Sequence, residues 1–235
     1  MLPVAILAGG LATRLRPATE TIPKALIEIN GEPFLAHQLR LLAAGGIRRV
    51  TMCIGYRGEM IQAWAGDGRR FGLEVTYAAD GPQLRGTAGA IAQARPLLGE
   101  KFLVLYGDSY LPCDYRAVAQ AFEESGKLAL MTVFDNRDRW DASNVAFARG
   151  RILAYSKKQR TPEMHYIDYG LGAFHAAAFD EIPPTGAHDL ADLYQALLAR
   201  DELAGFEVAE RFYEIGSFDG IQELSEYLAH KVAST

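Results

Sequence analysis

Along the first half of the chain, short apolar runs alternate with longer amphipathic stretches. Pro3–Ala8 is an apolar run that ends at Gly9-Gly10, and it predicts a buried strand. Phe34, Leu35, Leu39, Leu41 and Leu42 fall on one helical stripe. Gly31-Glu32-Pro33 predicts the start of that helix, with proline in a tolerated first-turn position, and Gly45-Gly46 its end through a left-handed cap. Arg49–Ile54 predicts a second strand and Gly58–Trp64 a short helix. In Leu73–Ala78, Val75 and Tyr77 alternate with Glu74 and Thr76, the pattern of a third strand. Thr87–Leu98 predicts a helix and Lys101–Tyr106 a buried strand. Strand–helix repeats of this length favour a parallel sheet with right-handed crossovers.

After residue 128 the rhythm changes. Leu128–Phe134, Asn144–Ala148, Ile152–Tyr155 and Tyr166–Phe174 predict strands with little helix between them, and Ala148-Arg149-Gly150-Arg151 predicts a hairpin turn. His188–Arg200 and Phe218–Lys231 predict amphipathic helices. The sequence contains no linker, low-complexity segment or internal repeat, so the late strands are expected to extend one sheet within a single domain of residues 1–235.

That arrangement gives the residues at the strand ends a meaning, because open α/β sheets bind ligands at the carboxyl ends of their strands. Residues 7–24 follow the first strand and read Leu-Ala-Gly-Gly-Leu-Ala-Thr-Arg-Leu-Arg-Pro-Ala-Thr-Glu-Thr-Ile-Pro-Lys. Adjacent glycines let the backbone approach a ligand and present bare N–H groups to anionic oxygens. Arg14, Arg16 and Lys24 add cations suited to phosphate, so the segment reads as a site for a nucleoside triphosphate. A P-loop and a G-x-G-x-x-G fingerprint are both absent. Asp108, in Tyr106-Gly107-Asp108-Ser109, follows the fourth strand and reads either as a Mg²⁺ carboxylate or as an Asx-turn closing the strand. Gln83 to Ala90 start a helix, where Gly86 and Thr87 would cap it or approach a flat base. Lys157-Lys158 read as solvated charge or as ligand cations, and Glu214 as a second metal carboxylate or an exposed strand-end acid.

Composition narrows the classes. The 235 residues are 49% hydrophobic and 23% charged, enough for a substantial core. A net charge of −5 argues against non-specific binding to nucleic acid or anionic membrane. Two cysteines, Cys53 and Cys113, are too few for a disulfide framework or zinc cluster and are expected to be buried free thiols. His37, His165, His175, His188 and His230 show no metal spacing, and His175 lies in an apolar run where packing or hydrogen bonding is the simpler reading. Ser109 and Ser217 lack the G-x-S-x-G context of a hydrolase. With no signal-peptide pattern and no apolar run long enough to span a bilayer, a cytoplasmic protein is expected.

At this point the chain resembles the sugar-1-phosphate nucleotidyltransferases over nearly its whole length. The most specific likeness is Gly9-Gly10-Leu11-Ala12-Thr13-Arg14-Leu15-Arg16-Pro17 with Pro23-Lys24, similar to the family's G-G-x-G-T-R-x-x-P…P-K signature. Gly55-Tyr56, Gly66-Asp67-Gly68 before Phe71-Gly72, Gly86-Thr87-Ala88-Gly89-Ala90, Gly107-Asp108-Ser109, Lys158 and Glu214-Ile215-Gly216 extend it. Short bacterial guanylyl- and uridylyltransferases look most alike.

The resemblance implies an α/β fold: a Rossmann-like three-layer α/β/α domain on a mostly parallel mixed sheet. It implies a nucleotide-binding half at 1–127 and a sugar-phosphate half at 128–235. The implied substrates are a nucleoside triphosphate and a sugar-1-phosphate, with Mg²⁺ as cofactor and NDP-sugar and pyrophosphate as products; a homodimer is compatible with it. On this likeness Leu7, Ala8, Gly9, Gly10, Thr13, Gln83, Gly86 and Thr87 bind the nucleotide. Arg14 and Lys24 neutralise phosphates, and Asp108 and Glu214 hold the metal. Asn144, Asp168 and Gly170 bind the sugar phosphate, which Lys158 orients. Five positions depart from the family pattern: Ala12 for Gly, Glu214 for Asp, Arg85 for Leu, Lys157 for Glu and Asn144 for Gly. The last two bear on the acceptor, which leaves open a cytidylyl- or uridylyltransferase acting on a non-hexose acceptor. A glycosyltransferase would show D-x-D where this chain has Asp108-Ser109-Tyr110, and a silent regulatory subunit need not keep Arg14, Lys24, Asp108 and Lys158 together.

Overall fold

Alternating inward and outward residues on the central strands set the layering. In β1 (Val4–Ala8), Val4 and Ile6 join one hydrophobic core while Ala5 joins another on the opposite face. The computed structural model describes residues 1–10, 15, 17, 19–81 and 83–233. Within them β1 is followed by a hairpin of β2 (Glu28–Ile29) and β3 (Glu32–Pro33), then α1 (Phe34–Ala44), β4 (Arg49–Ile54) and α2 (Gly58–Ala65). β5 (Glu74–Ala79), α3 (Gly86–Leu98) and β6 (Lys101–Tyr106) complete the first half. The second half adds β7 (Ser109–Tyr110), α4 (Tyr115–Ser125), β8 (Ala129–Asp135), β9 (Val145–Ala148), β10 (Arg151–Tyr155) and β11 (Tyr166–His175). It closes with α5 (Leu190–Ala199), β12 (Leu203–Glu207), β13 (Tyr213–Glu214) and α6 (Phe218–Ala233).

One nine-stranded mixed sheet runs through the molecule, with β5, β4, β1 and β6 side by side and parallel. β11 lies antiparallel to β6 and carries β8 on its other side, with β12 parallel to β8. β9 and β10 continue from the start of β11 as a hairpin. Following these pairings, β1, β4, β5, β6, β8, β9 and β12 point one way and only β10 and β11 the other. Helices α1, α2 and α4 pack their apolar stripes on one face and α3 and α5 on the other. The C-terminal α6 covers a smaller core with β2 and β7.

Local chemistry fixes several boundaries. α1 begins at Phe34, so Pro33 stands just outside the helix rather than in its first turn. It ends as the glycine pair predicts: Gly46 has φ +86°, its N–H donates to Ala43 O, and Ile47 N–H reaches back to Leu42 O. Arg149 and Gly150 both have positive φ, which gives the β9–β10 hairpin the turn whose twist matches its strands. The helix predicted from His188 starts at Leu190, with the Asp189 carboxylate capping Ala191 N–H. α4 and β12 are elements the sequence reading did not anticipate.

Candidate active site

The carboxyl ends of β1, β4 and β6 converge, and glycine lets them do so. A Cβ on Gly55 would lie 2.8 Å from Gly9 O, and one on Gly9 would lie 3.1 Å from Gly55 N, so the loops after β1 and β4 touch backbone to backbone. Gly107 N–H donates to Leu7 O at 3.0 Å, and a Cβ there would meet that oxygen at 2.5 Å. Above these crossings lies a cleft of ≈ 270 Å³ that Gly9, Gly10, Lys24, Thr87 and Asp108 share.

Lys24 opens a short 3₁₀ turn after Pro23 and points its ammonium at the end of β6. Its Nζ donates to Asp108 Oδ2 at 2.8 Å, with side-chain exposures of 16% and 31%. The β7–β13 pairing sets Glu214 opposite Ser109, and Ile215 N–H donates to the Asp108 carbonyl at 2.9 Å. These bonds hold a second carboxylate beside the first. Glu214 is exposed at the surface, yet desolvation by the protein around it, then the charges of Asp108 and Asp141, push its carboxyl up to about 7 against the pull of Lys24.

Such crowding of negative charge is what a divalent cation relieves. Among the described residues no group of three or more His, Cys, Asp or Glu comes together as a metal cage. Mg²⁺ does not need one, since it usually takes one or two carboxylates and completes its shell with water and substrate phosphate. Asp108, which lines the cleft, and Glu214 beside it are hard oxygen donors and fit that pattern.

At the other end of the cleft the lining is Leu7, Ala8, Gly9, Gly10, Gly86 and Thr87, joined by the apolar Cys53, Leu84 and Ala90 and by Asp80. Burial drives the Cys53 thiol up to about 12, so it is an inert wall. Gly86 has φ +71°, and a Cβ on it would collide with the His188 backbone at 2.5 Å. His188 O accepts from Ala88 N–H at 2.8 Å and so caps α3. The Thr87 hydroxyl donates to Asp189 Oδ1 at 3.1 Å and accepts from Leu190 N–H at 2.7 Å, which commits it to the start of α5. Gln83 is exposed and does not line the cleft.

The second half of the chain supplies a polar group on the far side of Tyr106. Pairing of β11 with β8 is irregular between Asp168 and Gly172, and Gly170 within that bulge has φ +96°. Gly170 N–H donates to Asp168 Oδ1 at 3.1 Å, and Tyr155 OH to Oδ2 at 3.4 Å. The carboxamide oxygen of Asn144 accepts from Asp168 N–H at 2.9 Å. Burial raises the Asp168 carboxyl, and the charge of Lys157 is the first force opposing it. Lys157 Nζ also lies 5.4 Å from the centre of the Tyr106 ring, whose hydroxyl is buried without a hydrogen-bond partner among the described residues. Lys158 is exposed, and its backbone N–H donates to Ser156 Oγ.

Residues 4–231 match the family described as Nucleotidyl transferase. The chain belongs to this family. It is 27% identical over 218 residues to a mannose-1-phosphate guanyltransferase of Schizosaccharomyces pombe, which covers 90% of this chain and 60% of the relative. It is 29% identical over 210 residues to a UTP–glucose-1-phosphate uridylyltransferase of Synechocystis sp., covering 82% and 54%. The chain thus spans less than two thirds of the length of these relatives. Its fold matches that of a putative glucose-1-phosphate thymidylyltransferase from Bacillus anthracis with a TM-score of 0.84 at 21% identity, over 97% of this chain and 95% of that one.

In this member of the family, the structure brings Leu7, Ala8, Gly9, Gly10, Lys24 and Asp108, from the segments after β1 and β6, and Gly86 and Thr87, from the start of α3, to one cleft. Glu214 stands beside Asp108, and Asp168, Gly170 and Asn144 cluster on the far side of Tyr106; none of these four lines the cleft itself. Thr13 and Arg14 lie outside the described residues. Two expectations shift. Asp80 and Leu84, not Gln83, face the cleft, and Lys157, not Lys158, approaches Tyr106 and Asp168. Asp80 could have been singled out by the rule that drew attention to Asp108, since each is a carboxylate just past the end of a parallel strand.

Proposed function

We propose that the chain is a Mg²⁺-dependent sugar-1-phosphate nucleotidyltransferase that joins a nucleoside triphosphate to a sugar-1-phosphate, giving an NDP-sugar and pyrophosphate. The observation that carries this reading is the Lys24–Asp108 contact of 2.8 Å at the rim of a glycine-floored cleft. Residues 1–127 bind the nucleotide and residues 128–235 the acceptor. Such a reaction brings two polyanions together, so its main demand is charge neutralisation and alignment rather than proton transfer.

An acceptor phosphate is already ionised at neutral pH. One of its oxygens attacks the α-phosphorus, the new P–O bond forms as the α–β bridge bond breaks, and the electron pair leaves on pyrophosphate. Bare N–H groups of the Gly9-Gly10 loop approach the triphosphate, and Lys24 turns from Asp108 to the phosphates. Asp108 and Glu214 would hold Mg²⁺, which when bound screens phosphate charge and polarises the reacting phosphoryl group. Lys157 orients the acceptor phosphate, while Asp168, Tyr155 and Asn144 accept and donate to hydroxyl groups of a polyol. Arg14, from the same basic segment as Lys24, is a further phosphate cation in this reading. The reading places the protein in the cytoplasm, with nucleotide and sugar phosphate as its partners.

A pyrophosphate-release screen tests it, with GTP, UTP, CTP, dTTP and ATP each paired with a panel of sugar-1-phosphates in the presence of Mg²⁺. Release that needs both substrates is expected. Nucleoside diphosphate as the released product would point to glycosyl transfer instead.

A further inference from the structure

The relatives carry names that differ in the base, guanyl- in one and uridylyl- in another, and one buried carboxylate lines the cleft of this chain. Asp80 follows β5, where its N–H donates to Ile54 O at 2.9 Å, and it is only 6% exposed. Its carboxylate faces the cleft between Gly9 and Leu84. A Cβ on Gly9 would sit 3.2 Å from Asp80 Oδ2, so glycine leaves that oxygen uncovered. Arg85 does not form an ion pair with it. The Arg85 guanidinium donates to the Asp80 backbone carbonyl at 3.2 Å and to Pro184 O at 2.7 Å. The walls of the same slot, Leu7, Cys53, Leu84 and Ala90, are apolar. A carboxylate is unfavourable in such a place unless donors complete it. Burial accordingly raises its pKa, opposed by the Arg85 backbone N–H and the nearby guanidinium charge.

We propose that Asp80 reads the nucleobase and selects guanine, an assignment that rests on the cleft being the nucleotide site. Apolar walls accept the faces of any base, so discrimination falls to edge groups. Guanine presents two adjacent donors, N1–H and the 2-amino group, which match the two oxygens of a carboxylate. Uracil and thymine place their single N3–H between two carbonyl oxygens, which a carboxylate repels. Cytosine and adenine each offer an amino donor beside a bare ring nitrogen, again an unfavourable neighbour for an anion.

The test measures binding of Mg-GTP, Mg-ITP, Mg-UTP and Mg-CTP to the intact chain by calorimetry, for the wild type and for Asp80→Asn. GTP is expected to bind about 10–100-fold more tightly than UTP or CTP, the scale of one bidentate edge contact. ITP keeps N1–H but lacks the 2-amino group, and should bind at least about fivefold more weakly than GTP, as for one lost hydrogen bond. Asp80→Asn should reduce the GTP preference about tenfold or more. If that variant does not fold, judged by circular dichroism, the GTP–ITP comparison on the wild type decides alone. UTP or CTP binding as tightly as GTP, equal affinity for GTP and ITP, or an unchanged preference in a folded Asp80→Asn variant overturns the proposal. Selective GTP binding without pyrophosphate release from any acceptor leaves the base assignment standing and removes the transferase reading. Failure of every nucleotide to bind removes both.

Discussion

Replacing Lys24 by methionine keeps most of the side-chain volume and deletes one charge. At 2.8 Å the attraction between Lys24 and Asp108 is gross rather than net. Coulomb's law gives ~1.5 kcal/mol for a water-like dielectric and ~6 kcal/mol for an effective value of 20. Both groups give up hydration to meet, so the remainder left to the folded state is small, about 1 kcal/mol. On the proposed reading the effect on transfer is larger, because there the same ammonium faces the triphosphate as its charge redistributes. Removing one preorganised electrostatic stabiliser lowers kcat by about 10²–10³-fold, or about 2.7–4 kcal/mol. Lys24→Met should therefore lose far more in turnover than in stability. The Glu214 carboxyl, which Lys24 pulls down, should also move above about 7 and carry any acid limb of the pH–rate profile upward with it. Steady-state pyrophosphate release at saturating substrates, paired with urea unfolding, reads both quantities. A kcat within threefold of the wild type, or a stability loss as large as the loss in activation free energy, would refute the assignment.

Other consequences follow from the same geometry. Because the folded state raises the Glu214 carboxyl to about 7, that group keeps its proton above the pH at which the unfolded chain loses it. Metal-free wild-type protein should thus lose stability between the ordinary glutamate range and pH 7, while Glu214→Gln should be flatter across the window; parallel thermal-unfolding curves at pH 5 and 8 would exclude the effect. Lys157→Ala should raise the acceptor KM about 10–100-fold, the scale for a charge-assisted hydrogen bond, and by more than Lys158→Ala does. The reverse order in acceptor titrations would return the role to Lys158. Gly107→Ala puts a methyl group 2.5 Å from Leu7 O and should destabilise the protein by about 1–3 kcal/mol, seen as an earlier urea midpoint. An unchanged midpoint would mean that the two strand ends part without strain.

Much of the fold was legible because strands and helices of the first half carry different periodicities. β1, β4 and β6 were found from apolar runs, β5 from the alternation of Val75 and Tyr77 with Glu74 and Thr76, and the end of α1 from the cap chemistry of Gly45-Gly46. α4 was legible in principle: Asp114 caps it, and Tyr115, Val118, Ala119 and Phe122 form a buried stripe. β12 was harder to see, since Leu203–Glu207 has no strict alternation and depends on packing against Phe147 and Ile152, where Gly205 leaves no room for a side chain. In the site, residues fixed by backbone position at strand ends were readable. The direction of a side chain in a turn was not. Ser156 Oγ accepts from both Lys158 N–H and Gln159 N–H, and this turn decides which of two adjacent lysines approaches Tyr106. Asn144 and Asp168 meet only because β9 and β11 pair across 24 residues of sequence.

β11 has one further implication. It bonds to β6 along one edge and to β8 along the other at residues 172–174, so the ladder passes from the first half of the chain into the second. A hinged, clam-like rotation between the halves would have to tear that ladder. On the proposed reading, capture and release of substrates fall instead to the loops at the strand ends around the cleft, such as those carrying Gly9-Gly10 and Leu84. Turnover in this protein should then respond to viscosity and to substitutions in those segments more than to any change along the β11 seam.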